Sequence, residues 1–168
     1  MLLYSDVMTN DEMFSDAFPA KLVDEIVYEI DCKMTTVKKG VEVDIGANPS
    51  SEEQEDALED GTEQVNNVVS SFRLQSTPFD KKSYVTYIKS YMKAVKEHLT
   101  KNNPDRVAAF EAGASAYVKK VVGNFKDYEF FTGESMNPEG MVALLNYRAD
   151  GITPYLSFWK DGLKEIKL

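Results

Sequence analysis

The chain has 168 residues, 43% hydrophobic and 28% charged, with 28 acidic against 19 basic side chains and a formal charge of −9. That is apolar material enough for a packed core, and the acidity argues against general binding to nucleic acid or anionic lipid, which are polyanions. The single cysteine, Cys32, excludes an intramolecular disulfide and a cysteine-rich zinc site. No apolar run approaches the roughly 20 residues that span a bilayer. Met1–Asp6 carries neither the basic nor the apolar part of a secretory signal, so a cytoplasmic protein with no membrane insertion is expected.

The first periodic segment is Tyr28–Met34. Tyr28, Ile30, Cys32 and Met34 alternate with Glu29, Asp31 and Lys33, the pattern of a half-buried strand. Val41–Ile45 alternates in the same way after Gly40. An acidic run follows, with Glu52, Glu53, Glu55, Asp56, Glu59, Asp60 and Glu63 and no basic residue. It holds one large apolar side chain, Leu58, too little to offset the entropy of ordering, so about residues 49–62 read as a mobile acidic loop. Asp56, Asp60 and Gly61 fall on EF-hand positions, but Leu58 and Asn67 stand where ligands are required, so only weak, diffuse calcium attraction is expected. Val65–Leu74 reads as a strand of poor alternation.

The middle of the chain changes period. Tyr84, Ile88, Tyr91, Val95 and Leu99 recur every three to four residues and predict a helix, with Asp80 as N-cap and Phe79 stapled to Tyr84. A second helix is predicted from an Asn103 cap with Pro104 at its first position, lined by Val107, Phe110, Ala114, Tyr117 and Val121 and ended by Gly123-Asn124. The short break between them makes an antiparallel hairpin over about residues 80–123. Strands follow at Tyr128–Phe131, Val142–Tyr147 and Tyr155–Trp159, punctuated by Gly and Pro. Strands at both ends of the chain point to one domain over residues 1–168, α+β and mainly β.

Charge is segregated. Lys81 to Lys126 holds ten basic and three acidic residues, a net of +7, which leaves −16 on the rest. Either the helices carry solvated lysines, or they form a basic arm projecting from an acidic body toward its own partner. Catalytic patterns are missing: His98 is the lone histidine, and no nucleotide-binding, zinc-protease or nucleophile-elbow motif occurs. Cys32 falls on the apolar strand face, the place of a core residue rather than a nucleophile.

Five strings are distinctive: Asn10-Asp11-Glu12-Met13-Phe14-Ser15-Asp16, Ile45-Gly46-Ala47-Asn48-Pro49-Ser50-Ser51-Glu52-Glu53, Phe79-Asp80-Lys81-Lys82-Ser83-Tyr84, Tyr87-Ile88-Lys89-Ser90-Tyr91-Met92-Lys93 and Tyr128-Glu129-Phe130-Phe131-Thr132-Gly133-Glu134-Ser135-Met136. With the Tyr-rich, Trp-containing C-terminal part they closely resemble the translationally controlled tumour protein family over the whole chain. The resemblance implies a twisted β-tent, similar to the fold of the Rab-binding guanine-nucleotide-free chaperones and of methionine sulfoxide reductase B, with an inserted helical hairpin. The paired cysteines of those relatives are missing, so neither their zinc nor their reductase chemistry carries over.

What the resemblance implies for function is non-enzymatic: roles in protein synthesis, cell growth and stress response, weak calcium binding, and partners among small GTPases, tubulin and a translation elongation factor or the ribosome. It places a GTPase contact at Glu12, with Glu134 and Leu74 as further contacts. The basic hairpin, through Lys89, Lys93, Lys96, Lys119 and Lys120, becomes a microtubule contact, and the expected location is cytoplasmic, with microtubules and, under stress, the mitochondrial surface. A capping acid is the alternative for Glu12, a buried strand residue for Leu74 and a surface turn acid for Glu134. The competing functions are a reductase-like enzyme, by analogy of fold, and an acidic calcium buffer.

Overall fold

The computed structural model describes residues 1–38 and 62–167. The strand expected over Val41–Ile45, and residues 49–61 of the expected acidic loop, lie outside the described residues, while Thr62 and Glu63 open a strand. The first strands are β1 (Leu2–Asp6), β2 (Glu12–Ser15), β3 (Ala20–Val23), β4 (Val27–Asp31) and β5 (Met34–Lys38). After β6 (Thr62–Asn66) come the short helix α1 (Asn67–Phe72), β7 (Gln75–Thr77), α2 (Lys81–Asn102) and α3 (Val107–Gly123). The last strands are β8 (Glu129–Thr132), β9 (Ala143–Tyr147), β10 (Pro154–Trp159) and β11 (Leu163–Lys167). They build a six-stranded sheet in the order β3-β4-β10-β9-β8-β7, a three-stranded sheet β11-β1-β2 and a ribbon β5-β6, with antiparallel pairing throughout. The chain is mainly β with a helical hairpin, as expected. β1 pairs with β11, which brings both ends of the chain into one sheet.

The alternating run Tyr28–Met34 is divided between two sheets. The Cys32 N–H donates to the Pro154 carbonyl at 2.8 Å, and Lys33 and Asn67 then exchange hydrogen bonds at 2.9 Å, which turns the chain out of the large sheet. Met34, expected inside, is therefore 47% exposed. Glu29, expected outside, is buried because Arg148 meets its carboxylate at 2.5 Å.

The strand expected over Val65–Leu74 is half helix. Asn66 caps α1 by accepting from the N–H groups of Val68 and Val69, at 2.9 and 3.1 Å. Arg73 ends it in the left-handed conformation, φ 57°, with Leu74 N–H reaching back to the Val69 carbonyl at 2.9 Å. This is a Schellman closure at a residue other than the usual glycine. The β-branched Val68 and Val69 favour extended backbone, and the two caps override that preference.

Helix α2 begins as its sequence indicates. Asp80 and Ser83 exchange capping hydrogen bonds of 2.7 and 3.1 Å, and the Phe79 ring meets Tyr84 edge-on at 5.6 Å. All five residues of its stripe are buried, as are Phe110, Ala114, Tyr117 and Val121 of α3. Asn103 does not cap α3; Pro104–Arg106 form a 3₁₀ turn first, and the α-helix opens at Val107.

The hairpin does not project as an arm. Tyr117 donates to the Ser157 hydroxyl at 2.9 Å and meets Trp159 edge-on at 5.4 Å, both on β10. Gly113 backs onto Ile26. At the hairpin turn Arg106 grips Asp161 through two hydrogen bonds of 2.9 and 3.0 Å and also donates to the Glu25 carbonyl. The apolar stripes thus dock the hairpin along the sheet, tied down even at its turn.

Candidate functional site

Two of the three expected GTPase contacts converge. Glu12 on β2 and Glu134 after β8 line one pocket of about 340 Å³ with Asn10, Asp11, Ser71, Phe72 and Arg73. Glu12 is exposed at the strand edge, in register with Ser5. Arg73 donates to Glu134 at 2.9 Å. That hydrogen bond, then the Glu134 charge, and to a smaller extent Glu12, hold the guanidinium above its ordinary pKa. The pocket carries three carboxylates against one guanidinium, so it is an acidic surface with a single internal cation. Leu74 is only 4% exposed and does not line the pocket; it belongs to the core beneath its neighbours Phe72 and Arg73.

The walls of the pocket are clasped. The Asp11 carboxylate accepts from the Ser135 hydroxyl at 2.6 Å and approaches its N–H at 3.4 Å. Gly133 permits this, since a Cβ there would collide with that carboxylate. Behind it, buried Asp6 accepts from the N–H groups of Met8 and Met141 at 2.9 and 2.7 Å and from the Thr9 hydroxyl at 3.1 Å. Burial raises the Asp6 pKa above 3.8, and these hydrogen bonds oppose the rise. Together Asp6 and Asp11 fasten the loop before β2 to the loop after β8, so Glu12 and Glu134 are offered from a preformed frame.

The expected microtubule residues form a second cluster. Lys89, Lys93 and Lys96 on α2 and Lys119 on α3 border a shallow groove of about 600 Å³, floored by Ile88, Met92, Phe110, Ala114 and Val118. Lys96 pairs with Glu111 across the hairpin at 3.2 Å, with both side chains about half exposed. Lys120 is outside the groove, over the Tyr117 ring at 5.4 Å.

Among the described residues no three His, Cys, Asp or Glu side chains converge on a metal position. Cys32 is buried, and burial pushes its thiol up to about 11, so the nucleophilic thiolate is not formed near neutrality. His98 is half-buried on α2 beside Asn102. No described helix is long and apolar enough to cross a membrane.

The fold agrees with comparison to known proteins. The family model described as "Translationally controlled tumour protein" matches residues 1–164. The chain belongs to the translationally controlled tumour protein family. Relatives named as homologues of that protein are 64% identical in Mycosarcoma maydis and 60% in Saccharomyces cerevisiae, each over 168 residues and the full length of both chains. Among solved structures, the tumor-associated protein p23fyp of Schizosaccharomyces pombe is 61% identical with a TM-score of 0.85, covering all of both chains. The family protein of Caenorhabditis elegans is 35% identical with a TM-score of 0.74, covering 100% of this chain and 99% of the other. The residues that sequence reasoning missed in this member of the family are Asp11, the clasp, and Arg73, the internal cation. A signal existed for Arg73: it is the only basic residue between Lys39 and Lys81.

Proposed function

We propose that the chain is a regulatory binding protein that works by docking rather than catalysis, and that the Glu12–Arg73–Glu134 pocket is its contact with a small GTPase. The observation that carries this reading is the convergence of Glu12 and Glu134, distant in sequence, on one preformed acidic pocket. A GTPase nucleotide site is rich in positive charge, from Mg²⁺ and a phosphate-binding lysine. A carboxylate presented there competes with the phosphates for those cations. Glu12 suits the task because it is exposed, while Glu134 is held by Arg73. The test is calorimetric titration of a Rheb-like GTPase, nucleotide-free and GDP-loaded, into wild type and Glu12→Ala. Weaker binding by Glu12→Ala with an unchanged melting temperature supports the reading; wild-type affinity in the folded variant removes it.

A specific observation favours a second contact. Four of the five lysines assigned to microtubule binding border one groove. Tubulin surfaces are acidic, so this face has the right sign, and its binding should weaken with salt. Charge reversal at Lys89, Lys93 and Lys119 should reduce co-sedimentation with microtubules; binding indifferent to salt would remove this reading.

A further inference from the structure

Another cleft shares no lining residue with the acidic pocket or the lysine groove. It runs between α2 and the loop Gly133–Val142, encloses about 620 Å³ and is mostly apolar, with Met8, Phe79, Tyr87, Met136 and Val142 among its walls. That volume is in the range of ligand and side-chain pockets. α2 makes the room, because Ser83, Ser90 and Ala94, all small, face the cleft. The opposite wall is pinned. The Tyr87 hydroxyl donates to the Gly140 carbonyl at 2.7 Å and accepts from the Val142 N–H at 3.0 Å, and Asp6 holds Met141. At the lip, Met136 is 55% exposed, and Met8 packs only partly into the core. A fixed floor with methionines at its mouth can accept apolar side chains of differing shape.

Charge selects the occupant. Glu139 is the one charged residue among those lining the cleft, and although α2 is lysine-rich, none of its lysines lines it. The loop that supplies Glu139 also supplies Glu134 to the acidic pocket. We infer that this cleft docks a basic peptide segment of a partner protein, with an aliphatic or aromatic anchor between Phe79, Tyr87 and Met136 and an adjacent lysine or arginine on Glu139. Anchor burial supplies affinity, and the carboxylate sets the sign of what is accepted. This contact is independent of the GTPase reading.

The probe is the amidated heptapeptide Lys-Leu-Trp-Ser-Leu-Lys-Lys, titrated into ¹⁵N-labelled protein beside an analogue with every lysine replaced by glutamate. The basic peptide should shift the amides of Ser83–Ala94 and Gly133–Val142. Glu139→Lys and Met136→Ala should each weaken it about five- to tenfold, while Glu165→Lys, the same charge change on β11, leaves it unaltered. No shifts at about 2 mM peptide, equal binding of the acidic analogue, shifts confined to the lysine groove, or an equal effect of Glu165→Lys would overturn the inference. Indole binding the cleft as tightly as the peptide would make it a small-molecule pocket and overturn it too. Loss of GTPase binding in Glu12→Ala with normal peptide binding would leave the two readings separately standing.

Discussion

Gly162→Ala tests whether the docking of the hairpin on the sheet is as close as the structure makes it. Gly162 closes the 3₁₀ turn Lys160–Gly162 between β10 and β11, and its φ is not in the left-handed region, so alanine meets no backbone penalty there. Space is what excludes a side chain. An added Cβ would overlap the Tyr91 hydroxyl and come within 2.8 Å of Met141 Cε and 3.2 Å of Tyr91 Cζ. Tyr91 cannot swing aside, because it is 2% exposed and stacked on Tyr87 at 5.8 Å. Overpacking of this kind costs about 1–3 kcal/mol. At about 2–4 °C per kcal/mol for a chain of this size, the melting temperature should fall by about 2–12 °C.

The same geometry names its suppressor. The Tyr91 hydroxyl is buried without a hydrogen-bond partner among the described residues, and burial holds its pKa well above 10, so it stays neutral. Tyr91→Phe removes the overlapping oxygen together with a buried polar group whose desolvation costs about 1–3 kcal/mol. Alone it should be neutral or stabilising, and combined with Gly162→Ala it should recover most of the loss. Urea denaturation followed by fluorescence of Trp159, the single tryptophan and fully buried, reports all four corners of the cycle. A Gly162→Ala protein within about 0.5 kcal/mol of wild type, or a double variant no better than Gly162→Ala, would refute the reasoning.

Arg106→Ala leaves the Asp161 carboxylate, 4% exposed, without its partner; it should cost about 2–4 kcal/mol in a urea melt, the lower end reflecting the partial exposure of the arginine. Arg106→Lys should recover only part of this, since an ammonium cannot reproduce the two-pronged contact. Asp80 is held below its ordinary pKa of 3.8 by the Ser83 N–H, so its cap stabilises above 3.8 and the contribution is lost as pH falls through the lower folded value. The melting-temperature gap between wild type and Asp80→Ala should therefore be open at pH 7 and close on acidification past 3.8; a gap independent of pH would contradict the capping assignment. Arg73→Gly should raise the melting temperature, because glycine occupies the left-handed position without strain and the exposed pair with Glu134 contributes little.

The hairpin was legible because its buried stripes repeat with helical period and its caps are local. Strand β10 was legible too: every residue from Pro154 to Trp159 is buried, and the sequence shows a near-continuous apolar run, broken only by Ser157, which Tyr117 satisfies. Strands β1 and β11 left no such trace. In β1, Ser5 and Asp6 are buried beside Leu3, so polar residues occupy positions that alternation gives to apolar ones, and β11 has Lys164–Lys167 exposed along its whole edge. The candidate site divides the same way. Glu12 and Glu134 stood out in distinctive strings, but their meeting at Arg73 depends on a left-handed helix cap and on the Asp11–Ser135 clasp, contacts between segments far apart in the chain. The buried Glu29 was misplaced for the same reason, since its partner Arg148 comes from beyond the hairpin.

The docked hairpin changes what the lysine cluster can do. Burying Tyr84, Ile88, Tyr91, Val95 and Leu99 leaves Lys89, Lys93 and Lys96, spaced four and three apart, on another face of α2, and the burial of Phe110 and Ala114 sets Lys119 beside them. Core packing therefore fixes the array, and a partner meets ammonium groups held at set separations rather than on a swinging arm. The Lys96–Glu111 pair is about half exposed and barely neutralises the face, because such pairs exchange readily with solvent. Screening then decides which partners succeed. With a Debye length of about 8 Å at physiological ionic strength, a partner touching one lysine feels the neighbour one turn away but little of the lysines beyond it. Only an acidic surface long enough to lie along the groove collects the attraction of all four, so affinity on this face should grow with the length of the acidic partner more steeply than with its charge density.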